Sequence, residues 1–162
     1  MKRALFFETS TRDRDGDICR ISEALCLAGC RVLIFVESTM EAAHFDDFLW
    51  TFNKESFVPH RIVSAGENLN GVMEKVFIGM EEVLFPEVDA VVCGGKADLE
   101  ALLKAHTVAF PVIMDDERKR QESRSLWKRL QRQGIFLHHL PASEKKEWGS
   151  RVREVLERRD DG

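Results

Sequence analysis

No apolar run in the sequence approaches the roughly 20 residues that a membrane-spanning helix needs. The first apolar run stops at Glu8, so we interpret it as a first strand rather than a secretory signal. The chain carries 24 lysines and arginines against 28 aspartates and glutamates. This slightly acidic balance argues against a protein that coats nucleic acid with its whole surface. The sequence therefore predicts a cytoplasmic protein that does not contact a membrane.

The chain also lacks the motifs of common catalytic and metal sites. It contains no Gly-x-Gly-x-x-Gly, no Gly-x-Ser-x-Gly and no Cys-x-x-Cys. No nucleophile has an evident base, and we expect no metal, no cofactor and no enzymatic activity of the chain by itself. Four cysteines are interpreted as small buried hydrophobic residues of a reducing compartment: Cys19, Cys26, Cys30 and Cys93.

Two short segments still need an interpretation. Gly94-Gly95-Lys96 follows a predicted strand and opens a predicted helix, which is where phosphate-binding loops occur. A tight turn with Asp98 as a helix cap explains it better, although a small nucleotide- or ligand-binding enzyme of doubly wound type remains the alternative. Asp115-Asp116-Glu117 suits the first turn of a helix, where carboxylates meet the positive end of the helix dipole.

The order of apolar segments predicts one α/β domain. With 44% hydrophobic residues, 162 residues are enough for one substantial core. Strands and helices alternate, which predicts a Rossmann-like three-layer fold with a mostly parallel central sheet flanked by helices. We assign residues 1–140 to the domain and 141–162 to a polar, helical extension. Strands are predicted at 4–7, 32–36, 61–63, 75–80, 88–93, 110–114 and 135–137, and helices at 17–28, 40–50, 97–106, 116–133 and 143–159.

The predicted helix 116–133 has an acidic first turn and a basic remainder. Arg120, Arg124 and Trp127 recur at i, i+4 and i+7 and so share one face, with Lys128 beside them. Charged helices are usually only solvated, but arginine and tryptophan are enriched where binding energy concentrates. Guanidinium groups bind carboxylates and phosphates alike. On a slightly acidic chain, such a patch fits a short acidic peptide better than a long polyanion.

A second group of aromatic residues follows the strand at 32–36. A helix ending in Trp50 leads to the segment Ser56-Phe57-Val58-Pro59-His60. Exposed aromatic residues in a polar loop are costly unless they pack or bind something. From the residues alone, core packing and an interface role are equally good interpretations of Trp50 and Phe57.

These elements resemble the chi subunit of bacterial DNA polymerase III, an accessory protein of the clamp loader. The resemblance rests on Arg31-Val32-Leu33-Ile34, on the helix end Leu49-Trp50 and on Ser56 to His60. It runs from the first strand to Leu137, and departs from the family pattern at 9–16, at 69–87 and after Leu140.

The resemblance implies partners for both surfaces. The basic helix of the family receives the acidic, aromatic-ended C-terminal tail of single-stranded-DNA-binding protein. That implies a tail site formed by Arg120, Arg124, Trp127, Lys128 and, on the preceding strand, Ile113. The other surface would contact a psi subunit or the clamp loader through Trp50, Phe57 and Pro59. Contact with nucleic acid would be mainly indirect, and a direct nucleic-acid binder is a third, weaker hypothesis.

Overall fold

Seven parallel strands form a single central sheet in the computed structural model, which describes residues 2–158. The strands are β1 (Arg3–Thr9), β2 (Val32–Phe35), β3 (His60–Ile62), β4 (Val76–Gly79), β5 (Ala90–Cys93), β6 (Thr107–Ile113) and β7 (Phe136–Leu140). Their order across the sheet is β3-β4-β2-β5-β6-β1-β7, and every pairing is parallel. The predicted α/β fold class is therefore confirmed.

Helices cover both faces of the sheet, and each face has its own apolar core. The helices are α1 (Arg14–Leu27), α2 (Thr39–Thr51), α3 (Leu99–Leu102), α4 (Glu117–Arg132) and α5 (Trp148–Glu157), with 3₁₀ helices at Glu82–Glu87 and Ala142–Glu147. Helices α1, α2 and α5 share a core with one side of the strands, and α3, α4 and the first 3₁₀ helix share the other. Strand side chains alternate between the two cores: Leu5 and Phe7 enter the first, and Ala4 and Phe6 the second.

Several boundaries differ from the sequence prediction. Helix α1 begins at Arg14 rather than Asp17, and Asp17 is a buried residue of the helix whose Oδ2 accepts a 2.6 Å hydrogen bond from Thr9 Oγ1. The helix predicted at 97–106 is reduced to Leu99–Leu102, because the amides of Lys104 and Ala105 bond to carbonyls three residues back and tighten the chain into turns. The segment predicted as a strand at 75–80 is a strand over Val76–Gly79.

The segment after Leu140 contributes to the core. Trp148 and Val152 are fully buried and Val155 is nearly so, all on the α1 side of the sheet. Lys145 Nζ lies 2.9 Å from the buried carboxylate of Asp17 and so ties this segment to α1. The proposed domain boundary at residue 140 stays a prediction, but the residues up to 158 pack as part of the same body.

Candidate functional site

The acidic residues at the start of helix α4 make structural hydrogen bonds. Asp116 caps the helix by accepting a 3.1 Å hydrogen bond from the Lys119 N–H. Asp115 Oδ1 accepts hydrogen bonds from the backbone N–H and the hydroxyl of Thr11, at 2.9 and 3.1 Å. The bond from the Thr11 N–H lowers the pKa of Asp115 and joins the two loops at the carboxyl ends of β1 and β6. The acidic triplet therefore has structural partners of its own.

One face of α4 forms the wall of a pocket against the sheet. The pocket has a volume of about 410 Å³ and opens at the carboxyl ends of β1, β6 and β7. The structure brings all four predicted helix residues to it. Its lining is Phe6, Glu8, Val112, Met114, Arg120, Ser123, Arg124, Trp127, Lys128 and His139. We call it the α4 pocket.

The α4 pocket has an apolar floor. Phe6 is buried at its base, with its ring centroid 5.1 Å from that of Trp127 and 5.2 Å from that of Phe110. Val112 and Met114 complete the apolar lining from β6 and the residue after it. A pocket of this kind accepts an apolar or aromatic side chain.

Ile113, which the sequence predicted as part of this floor, does not line the α4 pocket. Its side chain is buried and lines a separate depression beside Gly94 and Leu126. Neighbouring residues of a strand point to opposite faces, so Val112 and Ile113 cannot both face the α4 pocket, and Val112 is the one that lines it. The residue at this position of the floor is therefore Val112.

The rim of the α4 pocket is cationic on the helix side. Arg120 is partly engaged, since its Nη1 lies 3.3 Å from Glu117 Oε2. Arg124 and Lys128 are exposed, and within residues 2–158 neither takes part in an ion pair. Two cationic side chains are therefore available at the mouth of an apolar pocket, which is an arrangement that suits an anionic ligand with an apolar end.

Two residues of the sheet side were not predicted from the sequence. Glu8 Oε2 lies 2.9 Å from His139 Nε2, and Glu8 Oε1 accepts a 2.9 Å hydrogen bond from the Ala142 N–H. Both side chains line the pocket because Glu8 follows Phe6 by two residues in β1 and His139 is registered opposite Phe6 in β7. The neighbour of His139, His138, lies outside the pocket lining, and burial lowers its pKa, helped by Arg158 and Arg3.

A second candidate surface lies at the opposite edge of the sheet, beside β3. The side chains of Trp50 and Phe57 are 55% and 72% exposed, and their ring centroids are 5.7 Å apart. Pro59 is exposed next to them. His60 is buried and packs against this group, with its ring centroid 4.7 Å from that of Trp50. Its ring nitrogens lie within hydrogen-bond distance of the carbonyl oxygens of Val58 and Asp46. The exposure of Trp50 and Phe57 favours an interface role over core packing.

The turn at Gly94-Gly95-Lys96 is explained by packing. A Cβ on Gly94 would lie 2.6 Å from the carbonyl oxygen of Phe35, and one on Gly95 would collide with the side chain of Glu37. Asp98 caps the next helix, as predicted, by accepting a hydrogen bond from the Ala101 N–H. That helix has only four residues, which leaves little dipole to attract a phosphate.

Metal sites, disulfides and membrane spans are absent from the described part of the chain. Between residues 2 and 158, no group of three or more histidine, cysteine, aspartate or glutamate side chains is placed to hold a metal ion. All four cysteines are free thiols. In the same range, no helix combines the length and apolar character needed to span a bilayer.

Comparisons with known proteins identify the family and the fold. The sequence model of the family described as DNA polymerase III chi subunit, HolC, matches residues 1–138. No curated protein sequence matches the chain. Among solved structures, the C-terminal domain of a Saccharomyces cerevisiae Dbp5 variant, bound to Gle1 and IP6, is similar over 98% of this chain and 100% of its own, with 15% identity and a TM-score of 0.67.

A second similar structure is that of a Saccharomyces cerevisiae Dbp5 variant bound to RNA and ADP BeF3. The similarity covers 96% of this chain but only 46% of that one, with 16% identity and a TM-score of 0.68. At such identities, the likeness shows a shared α/β fold and nothing about ligands.

Proposed function

The chain belongs to the chi subunit family of DNA polymerase III, and from this premise we propose that it is a non-catalytic adaptor of the replication machinery. In this proposal the α4 pocket binds the acidic C-terminal tail of single-stranded-DNA-binding protein. The observation that carries the proposal is the combination of an apolar floor with a cationic rim in a single pocket. A cytoplasmic location goes with this role.

The chemistry of the tail matches the two parts of the pocket. Its terminal aromatic ring would enter the floor between Trp127, Phe6 and Val112, where edge-to-face contacts with other rings are favourable. Its carboxylates would meet Arg124 and Lys128, the two cations without ion-pair partners among residues 2–158. Arg120 would contribute less, because Glu117 already neutralises part of its charge. Binding of this kind has a Kd in the micromolar range, about −7 to −8 kcal/mol, and weakens with salt.

The second surface supports a link to the rest of the polymerase complex. Trp50, Phe57 and Pro59 present exposed apolar area next to edge strand β3, whereas the α4 pocket lies near edge strand β7. Partners on opposite edges of a sheet do not compete for space. We therefore assign the surface around Trp50 to a psi-like subunit or to the clamp loader itself, so that one chain joins two partners.

A titration with a fluorescent peptide tests the proposal. The peptide carries the last residues of single-stranded-DNA-binding protein from the same organism, and fluorescence anisotropy reports its binding. A second peptide without the terminal phenylalanine is the control. We expect saturable micromolar binding of the first and at least tenfold weaker binding of the second, about 1.4 kcal/mol or more. Equal binding of both peptides would contradict the proposal that the α4 pocket binds the terminal phenylalanine.

A further inference from the structure

Glu8 is an anionic residue in a pocket whose other ionisable lining residues are basic. Its side chain is 22% exposed and stands on the sheet side, facing the helix side that carries Arg120, Arg124 and Lys128. A carboxylate in this place weakens the binding of any anion that comes near it. The α4 pocket is therefore electrostatically asymmetric: anions are favoured along α4 and disfavoured along β1 and β7.

The position of Glu8 is fixed by its partners. One carboxylate oxygen is bonded to the Ala142 N–H, at the start of the 3₁₀ helix Ala142–Glu147, and the other to His139 Nε2. Both donors are exposed, but the Glu8 side chain cannot turn out to solvent without breaking both bonds. An incoming ligand therefore meets a carboxylate held in place rather than a mobile surface group.

We propose that Glu8 is the specificity-determining residue of the α4 pocket, selecting a chain terminus whose last side chain is uncharged. The inference rests on the proposed function of this pocket. The tail's upstream carboxylates and terminal carboxylate lie along α4, while its last side chain enters the floor past Glu8. An aromatic side chain loses nothing there, whereas an acidic one would be repelled at short range. Discrimination then comes from an unfavourable contact with the wrong ligand as well as from favourable contacts with the right one.

The substitution Glu8→Gln tests this with little change of shape. Glutamine keeps an oxygen acceptor for the Ala142 N–H and presents its NH₂ to His139 Nε2, which accepts in the other imidazole tautomer, so removal of the charge is the main change. Three peptides share one acidic body and end in phenylalanine, glutamine or glutamate. The glutamine and glutamate ends differ in charge and hardly in shape, so the ratio of their Kd values isolates the electrostatic contribution from the loss of aromatic burial.

We expect wild-type protein to bind the glutamine-ended peptide more tightly than the glutamate-ended one, and Glu8→Gln to reduce that ratio by about three- to tenfold. High salt should shrink the difference between the two proteins. Glu87→Gln changes the net charge equally at an exposed position outside the pocket, and should leave the ratio unchanged. In wild-type protein alone, high salt should also lower the glutamine-to-glutamate preference, and this measurement stands even if Glu8→Gln proves unstable.

The outcomes distinguish a failure of this inference from a failure of the proposed function. If the phenylalanine-ended peptide does not bind wild-type protein, the proposed function of the pocket is wrong, and this inference with it. If that peptide binds but Glu8→Gln leaves the glutamine-to-glutamate ratio unchanged, Glu8 does not select the terminus and only the inference is wrong. A preference of wild-type protein for the glutamine end that does not fall with salt would likewise contradict it.

Discussion

The indole of Trp127 packs edge-on against the ring of Phe6, with ring centroids 5.1 Å apart and planes inclined by 69°. This contact joins α4 to the sheet, because Phe6 lies in β1, between β6 and the edge strand β7. It also fixes the orientation of the indole at the pocket floor before any ligand arrives. A site formed in advance avoids part of the ordering cost that a flexible surface incurs on binding.

Replacing Trp127 should therefore affect both binding and stability. Trp127→Ala removes the ring that closes the floor, and we expect at least tenfold weaker peptide binding and a loss of about 1–3 kcal/mol of unfolding free energy. Trp127→Phe keeps an aromatic ring and should retain most of both. Anisotropy titration and urea denaturation measure the two effects. Undiminished binding by a folded Trp127→Ala protein would contradict the role of the indole.

Arg124 should be the most sensitive cation of the pocket, since it is exposed at the rim and has no ion pair within residues 2–158. Arg124→Ala should weaken binding of the phenylalanine-ended acidic peptide at least tenfold, about 1.4 kcal/mol or more. The matched control is Arg129→Ala on the same helix, because Arg129 lines other depressions and not the α4 pocket. Equal affinities of the two variants would argue against the site.

The residues that α4 contributes to the pocket can be predicted from the sequence, because the helical repeat brings residues at i, i+4 and i+7 together without any tertiary information. Glu8 and His139 could not be found in the same way. They lie 131 residues apart, and only the register of β1 against β7 brings them together. That Val112 rather than Ile113 lines the pocket is hard to read from the sequence for a related reason: alternation along a strand is readable, but which set faces α4 depends on how the helix packs.

The C-terminal segment should be essential to the fold. Trp148 is 0% exposed, its Nε1–H donates a 3.0 Å hydrogen bond to the Pro141 carbonyl, and its ring meets that of Phe7 at 5.8 Å. Trp148→Ala leaves a large cavity and should cost about 3–5 kcal/mol of unfolding free energy. Phe136→Ala, at a half-exposed ring, is the control and should cost far less. Calorimetric or urea unfolding measures both, and similar costs would contradict the packing.

The burial of this segment has a signal in the sequence. Trp148, Val152 and Val155 are spaced four and three residues apart, which is the apolar repeat of a helix that packs on one face. The surrounding charged residues led to the prediction of a polar extension. The strand-helix order, by contrast, was readable because parallel strands buried on both faces give continuous apolar runs, such as Val32–Phe35.

The cysteines should react slowly in the folded protein. Burial raises the pKa of Cys19 and Cys93 to about 12 and that of Cys30 to about 11, so little reactive thiolate is present at neutral pH. We expect alkylation by iodoacetamide to be slow at neutral pH and faster at alkaline pH or in denaturant. Rapid modification of Cys19 or Cys93 at neutral pH, mapped by mass spectrometry, would contradict their burial.

The same pKa shifts predict the direction of a pH effect on stability. In the unfolded chain these thiols ionise near pH 9, below their values in the folded protein. The unfolded state therefore loses protons first, and the free energy of unfolding should fall as the pH rises from about 9 towards 12. Urea titrations across this range would show it, and Cys93→Ala should make the fall shallower.

The most direct measurement is an NMR titration of the isotope-labelled protein with the C-terminal peptide of single-stranded-DNA-binding protein. If the α4 pocket receives the tail, the Trp127 indole N–H and the amides of residues 120–128 shift on binding, and those around Trp50 and Phe57 do not. Shifts centred on the Trp50 surface, or no saturable shifts at all, would contradict the central claim.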